Sequence, residues 1–383
     1  MTPADSNTTR SASELGYVMP AEWEPHEATW LTWPINKTTW PGKMLKEVED
    51  IFVRMISALL PGEKVHLSVP DVPTGRRVLG KLENKKVRSR NLVLHTVKTA
   101  DSWMRDYGPI FVTKKVVGSR KSGFGSSDLP NPESRIPTTD IAFLKFIFNA
   151  WGGKYKDLAR DNAVVGRLEY LERFPRIDVS MVLEGGSIDV NGLGTCLTTE
   201  QCLLNPNRNP RLTRRGIEER IQKNLGVRKV IWLKEGIEGD DTDGHVDDIT
   251  RFVGPRTILT AVEPNREDKN HSPLAENLRI LRRATDQDGK KFRIVELPMS
   301  GVVGAKKGRL FGAAQGGRLP ASYANFYTGN RVVLVPTYSH SNDKIALKTI
   351  AALFKGRKTV GLESTALVHG LGSIHCVTQQ QPA

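Results

Sequence analysis

The sequence predicts a mixed α/β protein, and three observations carry that expectation. Short β-branched runs alternate with amphipathic segments along the chain, and several runs are joined in pairs by Gly/Asn turns. No shift of composition divides the 383 residues into unlike parts. A chain of this length can bury a large core, either as two domains or as one large domain built from repeats. Without a composition break, a single catalytic domain over residues 18–383 is expected, and no repeat is legible to the eye.

Residues 1–17, MTPADSNTTRSASELGY, are polar and rich in Ser and Thr. They read as a disordered lead-in with no apolar stretch of secretory type. From Met19 the chain turns aromatic: Trp23, Trp30, Trp33 and Trp40 are four of its seven tryptophans, a density that suits a packed element. LKEVEDIFVRMISALL (45–60) spaces its apolar residues as an amphipathic helix does. GSRKSGFGSSDLPNPESRIP (118–137) mixes Gly, Ser, Pro and charge, with apolar patterning resuming on both sides. It reads as a surface loop inserted into the domain.

SMVLEGGSIDV, NGLG and TCLTTE then predict a hairpin that turns at Asn191-Gly192. RRGIEERIQKNLG (214–226) follows as a helix and KVIWL (229–233) as a buried strand. DITRFV and RTILTAV flank Gly254-Pro255 as a second hairpin. RVVLVP (331–336) is another buried strand, and DKIALKTIAALF (343–354) a last amphipathic helix.

The chain carries 56 Lys+Arg against 42 Asp+Glu, a formal charge of +14 with a pI near 9.7. So basic a balance raises the question of an anionic partner. The excess is scattered in pairs such as Arg76-Arg77, Lys114-Lys115 and Arg214-Arg215, with no run of five or six like charges. A solvated surface accounts for it. The aromatic residues are not interleaved with basic ones as a stacking surface requires, so no nucleic-acid partner is expected. A basic nucleic-acid-binding protein stays as the alternative from a different class. No apolar run approaches the ~20 residues of a membrane span, so no membrane partner is expected either. Cys196, Cys202 and Cys376 are few and odd in number, which implies no disulfide framework and suits a reducing, cytoplasmic setting.

Three segments place chemically capable residues where packing does not call for them. In DDTDGHVDD (240–248) five of nine residues are Asp. A calcium loop with Gly244 at its sixth position would put Gly239 first and Thr250 twelfth, and neither is a carboxylate. A zinc site would need more than His245. The following chain reads as a strand, on which residues two apart share a face, so His245 and Asp247 would point together as base and carboxylate. In LVHGLGSIHCVTQQQPA (367–383), Cys376 sits among glycine and polar residues. On an extended chain the adjacent His375 faces the other way, so a base must come from elsewhere, and His245 has the most suggestive setting. In DSWMRDYGP (101–109), Trp103 and Asp106 share a loop and suit a cationic ligand. Glu184, in LEGGSI, ends an apolar strand before Gly185-Gly186 and is well placed to face a pocket. Carboxylates in this number imply a cationic substrate, and a guanidinium is the natural fit because it pairs with them bidentately.

At these residues the chain resembles the agmatine deiminases of the guanidino-group-modifying superfamily. The likeness runs from Met19 to Pro382 and includes MPAEWEPHEATWLTWP, DSWMRDYGP, FNAWGGKY, LEGGSIDVNGLGTCLTTEQCLLNPNRNP, TDGHVD, ASYANFY and GSIHCVTQQQP. The resemblance implies a five-bladed α/β propeller, the pentein fold, of ββαβ-type units around a central pocket. It implies Cys376 as nucleophile, His245 as general acid/base and Glu184 as the group that orients and charge-stabilises His245. Asp106 and Asp247 would grip the guanidinium, and Trp103 would line the pocket. The implied reaction takes agmatine to N-carbamoylputrescine and ammonia with no metal and no organic cofactor; homo-oligomerisation stays open. Peptidyl-arginine or free-arginine deiminases and amidinotransferases are the rivals within the superfamily, and a metal hydrolase is the rival outside it. The stretch before Cys376 reads HGLGS where many relatives carry a run of glycines, which points to Leu371 as a residue that reshapes the pocket rim. One tension is physical: carboxylates disfavour a neighbouring thiolate, so Cys376 is expected to be activated in part by the bound cation or by protonated His245.

Overall fold

In the computed structural model, residues 10–114, 140–304 and 317–383 are described. The expected insertion over 118–137 lies outside them. Five sheets contain all the named strands of these segments, and one strand order recurs in each. A first strand pairs antiparallel with a second, and a crossover leads to a third that lies parallel to the second. A tight turn suffices for the antiparallel step, whereas the parallel step requires the crossover, usually a helix. Three blades follow this plan without addition. They are Asp189–Val190, Thr195–Thr199 and Lys229–Leu233; Thr250–Gly254, Thr257–Val262 and Arg293–Pro298; and Tyr327–Thr328, Val332–Thr337 and Lys358–Glu363. Their crossover helices are Arg214–Leu225, His271–Arg283 and Asp343–Leu353.

The blade of Ile110–Lys114, Ile141–Ile147 and Arg176–Val182 adds Tyr17–Val18 at one edge and crosses over through 3-10 turns. The remaining blade closes the ring. Its first strand is Thr378–Pro382 from the end of the chain, which pairs with His26–Thr32 near the beginning. The parallel strands Lys64–Val69 and Leu92–Thr96 complete it. The polar TQQQP strand is buried because its amides are used. Gln381 accepts from Trp30 Nε1 at 2.9 Å, Gln380 from Arg105 at 2.7 Å, and Gln379 donates to the Pro109 carbonyl at 2.8 Å.

Local chemistry explains the elements. Thr213 caps Arg214–Leu225 through the Gly216 N–H, and Gly226 ends that helix at φ +67°, a left-handed conformation that glycine adopts freely. The helix Met44–Leu59 buries Val48, Ile51, Phe52, Met55, Ile56 and Leu59 on one face. Val332–Thr337 is buried along its whole length, as a parallel strand covered on both faces should be. Both hairpins form, the first turning at Asn191, whose side chain accepts the N–H groups of Leu193, Gly194 and Thr195.

The lead-in expected over residues 1–17 ends sooner than its polar composition suggests. Ala12 is buried, Ser13 N–H donates to the Lys223 carbonyl, and Tyr17 pairs with Lys114. No helix among the described residues is long and apolar enough to cross a membrane.

The repeated order places the chemistry. Asp106, Glu184, Asp247, Asn325 and Cys376 each precede the first strand of a blade by two to five residues. The five connections therefore converge, each delivering one polar or sulfur-bearing side chain toward a shared centre.

Candidate active site

Cys376 lies on the turn before Thr378–Pro382 rather than on an extended strand. The turn is held by Arg105 N–H, which donates to the Cys376 carbonyl at 3.1 Å. The thiol is buried and free, as are Cys196 and Cys202. Burial pushes its pKa well up, and the Asp247, Asp248 and Asp106 carboxylates push it further. Asp247 Oδ2 stands 3.9 Å from Sγ.

His245 and Asp247 do not share a strand face. Val246–Asp248 forms a 3-10 turn, and the strand begins only at Thr250. Five Asp among nine residues with a glycine, each able to bond nearby backbone, favour a turn over a ladder. Asp240 does this here, accepting Thr242, Gly244 and His245 N–H groups. The turn still brings both side chains to one point. A methyl group added at Gly186 would lie 2.6 Å from His245 Nδ1 and 3.0 Å from both Asp106 Oδ1 and Asp247 Oδ2.

Asp106 does not pair with its neighbour Arg105. Its carboxylate accepts Trp151 Nε1–H at 2.9 Å and Gly186 N–H at 3.0 Å, and Oδ1 lies 3.9 Å from His245 Nδ1. Burial raises the Asp106 pKa to about 6 despite the opposing pull of His245. Burial also disfavours the His245 imidazolium, but Asp106, the Cys202 thiol and Asp247 outweigh it and hold the pKa well above the usual histidine range. Glu184 accepts from Arg208 Nε at 2.8 Å through Oε1, while its Oε2 and His245 Nε2 are buried without a hydrogen-bond partner. Glu184, His245 and Cys202 each have an atom within 4.8 Å of the others. Trp103 packs its ring on Gly372, where a Cβ would meet it at 2.5 Å.

A narrow cavity reaches this cluster. Trp103 and Trp151 wall it, and Asp106, Tyr155, Asp241, Thr242 and Cys376 also line it. Leu371 lines it too, at φ +69°, a conformation that costs a non-glycine residue roughly 1–2 kcal/mol. The Asp241 carboxyl accepts the Tyr155 hydroxyl, and burial raises its pKa to about 7.

Several contributors escape sequence reasoning. His375 turns from the cavity but bridges two carboxylates, Nδ1 to Asp247 Oδ2 at 2.6 Å and Nε2 to Glu22 Oε2 at 2.7 Å. Arg251 and Arg105 also reach Glu22, at 2.9 and 3.4 Å, so a buried charge network underlies the site. Asn325 touches Cys376. FNAWGGKY, which contains Trp151, and ASYANFY, which contains Asn325, were the only sequence signal for either.

Two described clusters combine metal-ligand types, Glu184/Cys202/His245 and Asp247/Asp248/Cys376, with atoms within 4.8 Å in each. In the first, the Arg208 guanidinium already occupies one Glu184 oxygen. In the second, Asp247 is committed to His375 through Oδ2 and Asp248 accepts from Asn325. These commitments take one oxygen from each of Glu184, Asp247 and Asp248. Chemically, the site offers a buried thiol, an imidazole held cationic, and carboxylates aimed where a planar cation would fit.

Comparison with known proteins agrees with this chemistry. Residues 18–382 match the Porphyromonas-type peptidyl-arginine deiminase family. An agmatine deiminase of Medicago truncatula is 36% identical, covering 96% of this chain and 97% of its own. Among solved structures, the agmatine deiminase of Enterococcus faecalis, described as catalysing its reaction, superposes with a TM-score of 0.84 at 28% identity, over 98% of both chains. The substrate-bound agmatine deiminase of C. jejuni superposes with a TM-score of 0.77 at 29% identity, over 96% of both.

Proposed function

The chain belongs to the Porphyromonas-type peptidyl-arginine deiminase family, and on that premise we propose that it hydrolyses the guanidino group of agmatine to N-carbamoylputrescine and ammonia. The observation that carries this reading is a buried free thiol opening on the same narrow cavity as Asp106, with Asp247 Oδ2 3.9 Å from the sulfur.

Asp106 and Asp247 pair with the guanidinium nitrogens and hold the central carbon over Cys376 Sγ. Asp247 Oδ1 is buried without a partner, so a substrate N–H supplies the bond it lacks. Trp103 and Trp151 wall the slot and offer ring faces to the cation. The thiolate attacks that carbon, and the bound cation becomes a neutral tetrahedral adduct. His245, protonated, gives its proton to one amino group; ammonia leaves and a cationic amidino-thioether remains on Cys376. Neutral His245 then takes a proton from water as the oxygen attacks. Collapse expels the thiolate, frees the carbamoyl product, and sends the last proton to ammonia as ammonium. Glu184, near His245, favours the imidazolium form that opens the cycle and orients the ring.

Peptidyl- or free arginine would add a carboxylate or amide at the distal end. The described residues that line the cavity include no Lys, Arg or His to meet a carboxylate, whereas Asp241 suits agmatine's ammonium. A cytoplasmic setting follows from the need to keep Cys376 reduced. Ammonia release measured across agmatine, arginine and a peptidyl-arginine tests the reading, with Cys376→Ala as control. Agmatine is expected to be the preferred substrate; activity surviving in the Ala variant would overturn the thiol mechanism. Activity that is sensitive to chelator but resistant to iodoacetamide would transfer the chemistry to a metal.

A further inference from the structure

We propose that Asn325 is a catalytic residue whose side-chain amide donates a hydrogen bond to the Cys376 thiolate and so holds the attacking sulfur in its charged form. The assignment rests on Cys376 being the nucleophile.

The geometry fixes which way the amide points. Asn325 Oδ1 lies 2.9 Å from His375 N and 3.4 Å from Cys376 N, both backbone donors. Only the carbonyl oxygen can accept from them. Nδ2 then lies 3.2 Å from Cys376 Sγ and 3.0 Å from Asp248 Oδ1, while Oδ1 stands 3.5 Å from the same sulfur. With the amide reversed, an NH2 group would face two N–H donors and a carbonyl would face a carboxyl oxygen. The two amide hydrogens are thus divided, one to Asp248 and one to the sulfur.

The sulfur needs such a donor. It is buried beside Asp247 and Asp248, and both carboxyls oppose a negative charge there. The Ser373 backbone also donates to it. Hydrogen bonds to the charged form favour it, and more strongly in a buried site than in water. Asp248 supports the arrangement as an anchor. Burial and the adjacent Asp247 push its pKa well above the usual carboxylate range, and its Oδ1 fixes the amide through the 3.0 Å bond. Asn325 occupies in its blade the position that Cys376 occupies in the next, two residues before the first strand. The fold therefore carries donor and nucleophile on neighbouring connections.

The test measures alkylation of Cys376 by iodoacetamide against pH in wild type, Asn325→Ala and the near-isosteric Asn325→Asp, with Cys376→Ala marking background labelling and circular dichroism confirming the fold. Alkylation does not require turnover, so it reports the thiolate alone. At a fixed pH near neutrality, both Asn325 variants are expected to alkylate at least ~10-fold more slowly, a titration midpoint moved up by about one unit, with kcat reduced ~100-fold. A merely structural role would lower kcat or stability and leave the alkylation midpoint in place. Variants that fold, and that alkylate along the wild-type curve, would overturn the assignment of Asn325. If instead Cys376→Ala released ammonia at the wild-type rate, the nucleophile reading would fall first, whatever the Asn325 variants did.

Discussion

His375 grips Asp247 from behind the cavity: its Nδ1 lies 2.6 Å from Asp247 Oδ2, while Nε2 lies 2.7 Å from Glu22. Both ring nitrogens face acceptor oxygens, so the arrangement calls for a proton on each. Burial alone would raise the Asp247 pKa, yet the bond from His375 and its charge bring it below the usual value, and the carboxylate stays ionised. One oxygen is thereby tied and the other left for substrate. His375→Gln loses one charge-assisted bond, worth ~1.5–3 kcal/mol, so KM for agmatine is expected to rise by ~10-fold or more. Because Asp247 turns while Cys376 stays, kcat should fall less than kcat/KM. A variant whose KM is unchanged would show that Asp247 needs no brace.

On the proposed mechanism, the pair Asp106 and His245 sets the pH range of activity. Asp106 must be ionised to hold a guanidinium, and its pKa is raised to about 6, so kcat/KM should fall as pH drops through about 6. His245 must be protonated to release ammonia, and its pKa is held well above the usual range, so the alkaline limb lies well above pH 7. The same shifts act on stability with opposite signs. His245, raised on folding, stabilises the protein below its unfolded value of about 6.5 and loses that contribution as pH rises through the folded value. Asp106, also raised, opposes folding at neutral pH, and that cost is relieved as pH falls through about 6 toward its unfolded value. Asp106→Asn should cut kcat/KM ~100-fold and remove the acid limb. An acid limb retained at the same pH would assign it to another group.

Gly186 tests whether the three groups converge as tightly as they must. A Cβ there would stand 2.6 Å from His245 Nδ1, a separation real Cβ atoms do not show, and 3.0 Å from two carboxylate oxygens. The imidazole is buried and cannot swing clear. Gly186→Ala should therefore fold, at a cost of ~1–3 kcal/mol for overpacking, and lose nearly all activity. Alanine with more than about a tenth of wild-type kcat would mean that His245 is free to move without consequence.

The division between what the sequence made legible and what it hid has a physical basis. Asp106, Glu184, His245, Asp247 and Cys376 stood out because such side chains serve no packing purpose beside glycines at strand ends, and the structure gathers them. His375 was hidden because alternation on an extended chain turned it away, and nothing in one sequence shows that a carboxylate 128 positions earlier waits behind it. Asn325 was hidden inside ASYANFY as an amide among aromatics. The hairpin at Asn191 was legible since its turn chemistry is local. The five-fold repeat was not, because blades share backbone order and not side chains. Their closure joins Thr378 to Leu31, a pairing no local pattern records.

On the proposed reading, Asp241 distinguishes agmatine from its rivals. It shares the cavity with Cys376, accepts the Tyr155 hydroxyl, and has its pKa raised to about 7 by burial, so near neutrality the empty site holds it partly protonated. An arriving ammonium favours the carboxylate and draws the proton off. Lys154 Nζ donates to the Asp241 carbonyl at 2.5 Å and to Asp243 at 2.6 Å, so the turn keeps its shape when the side chain changes. Asp241→Asn preserves an acceptor for Tyr155 and removes only the charge. KM for agmatine should rise ~10- to 100-fold, as expected for loss of a partly buried ion pair, while kcat changes little because the guanidinium end is untouched. Arginine, whose carboxylate the wild-type Asp241 repels, should lose less or gain. The ratio of kcat/KM for agmatine over arginine is the measurement that checks this. A ratio unchanged in Asp241→Asn would place the ammonium elsewhere in the cavity and leave selection to its aromatic walls.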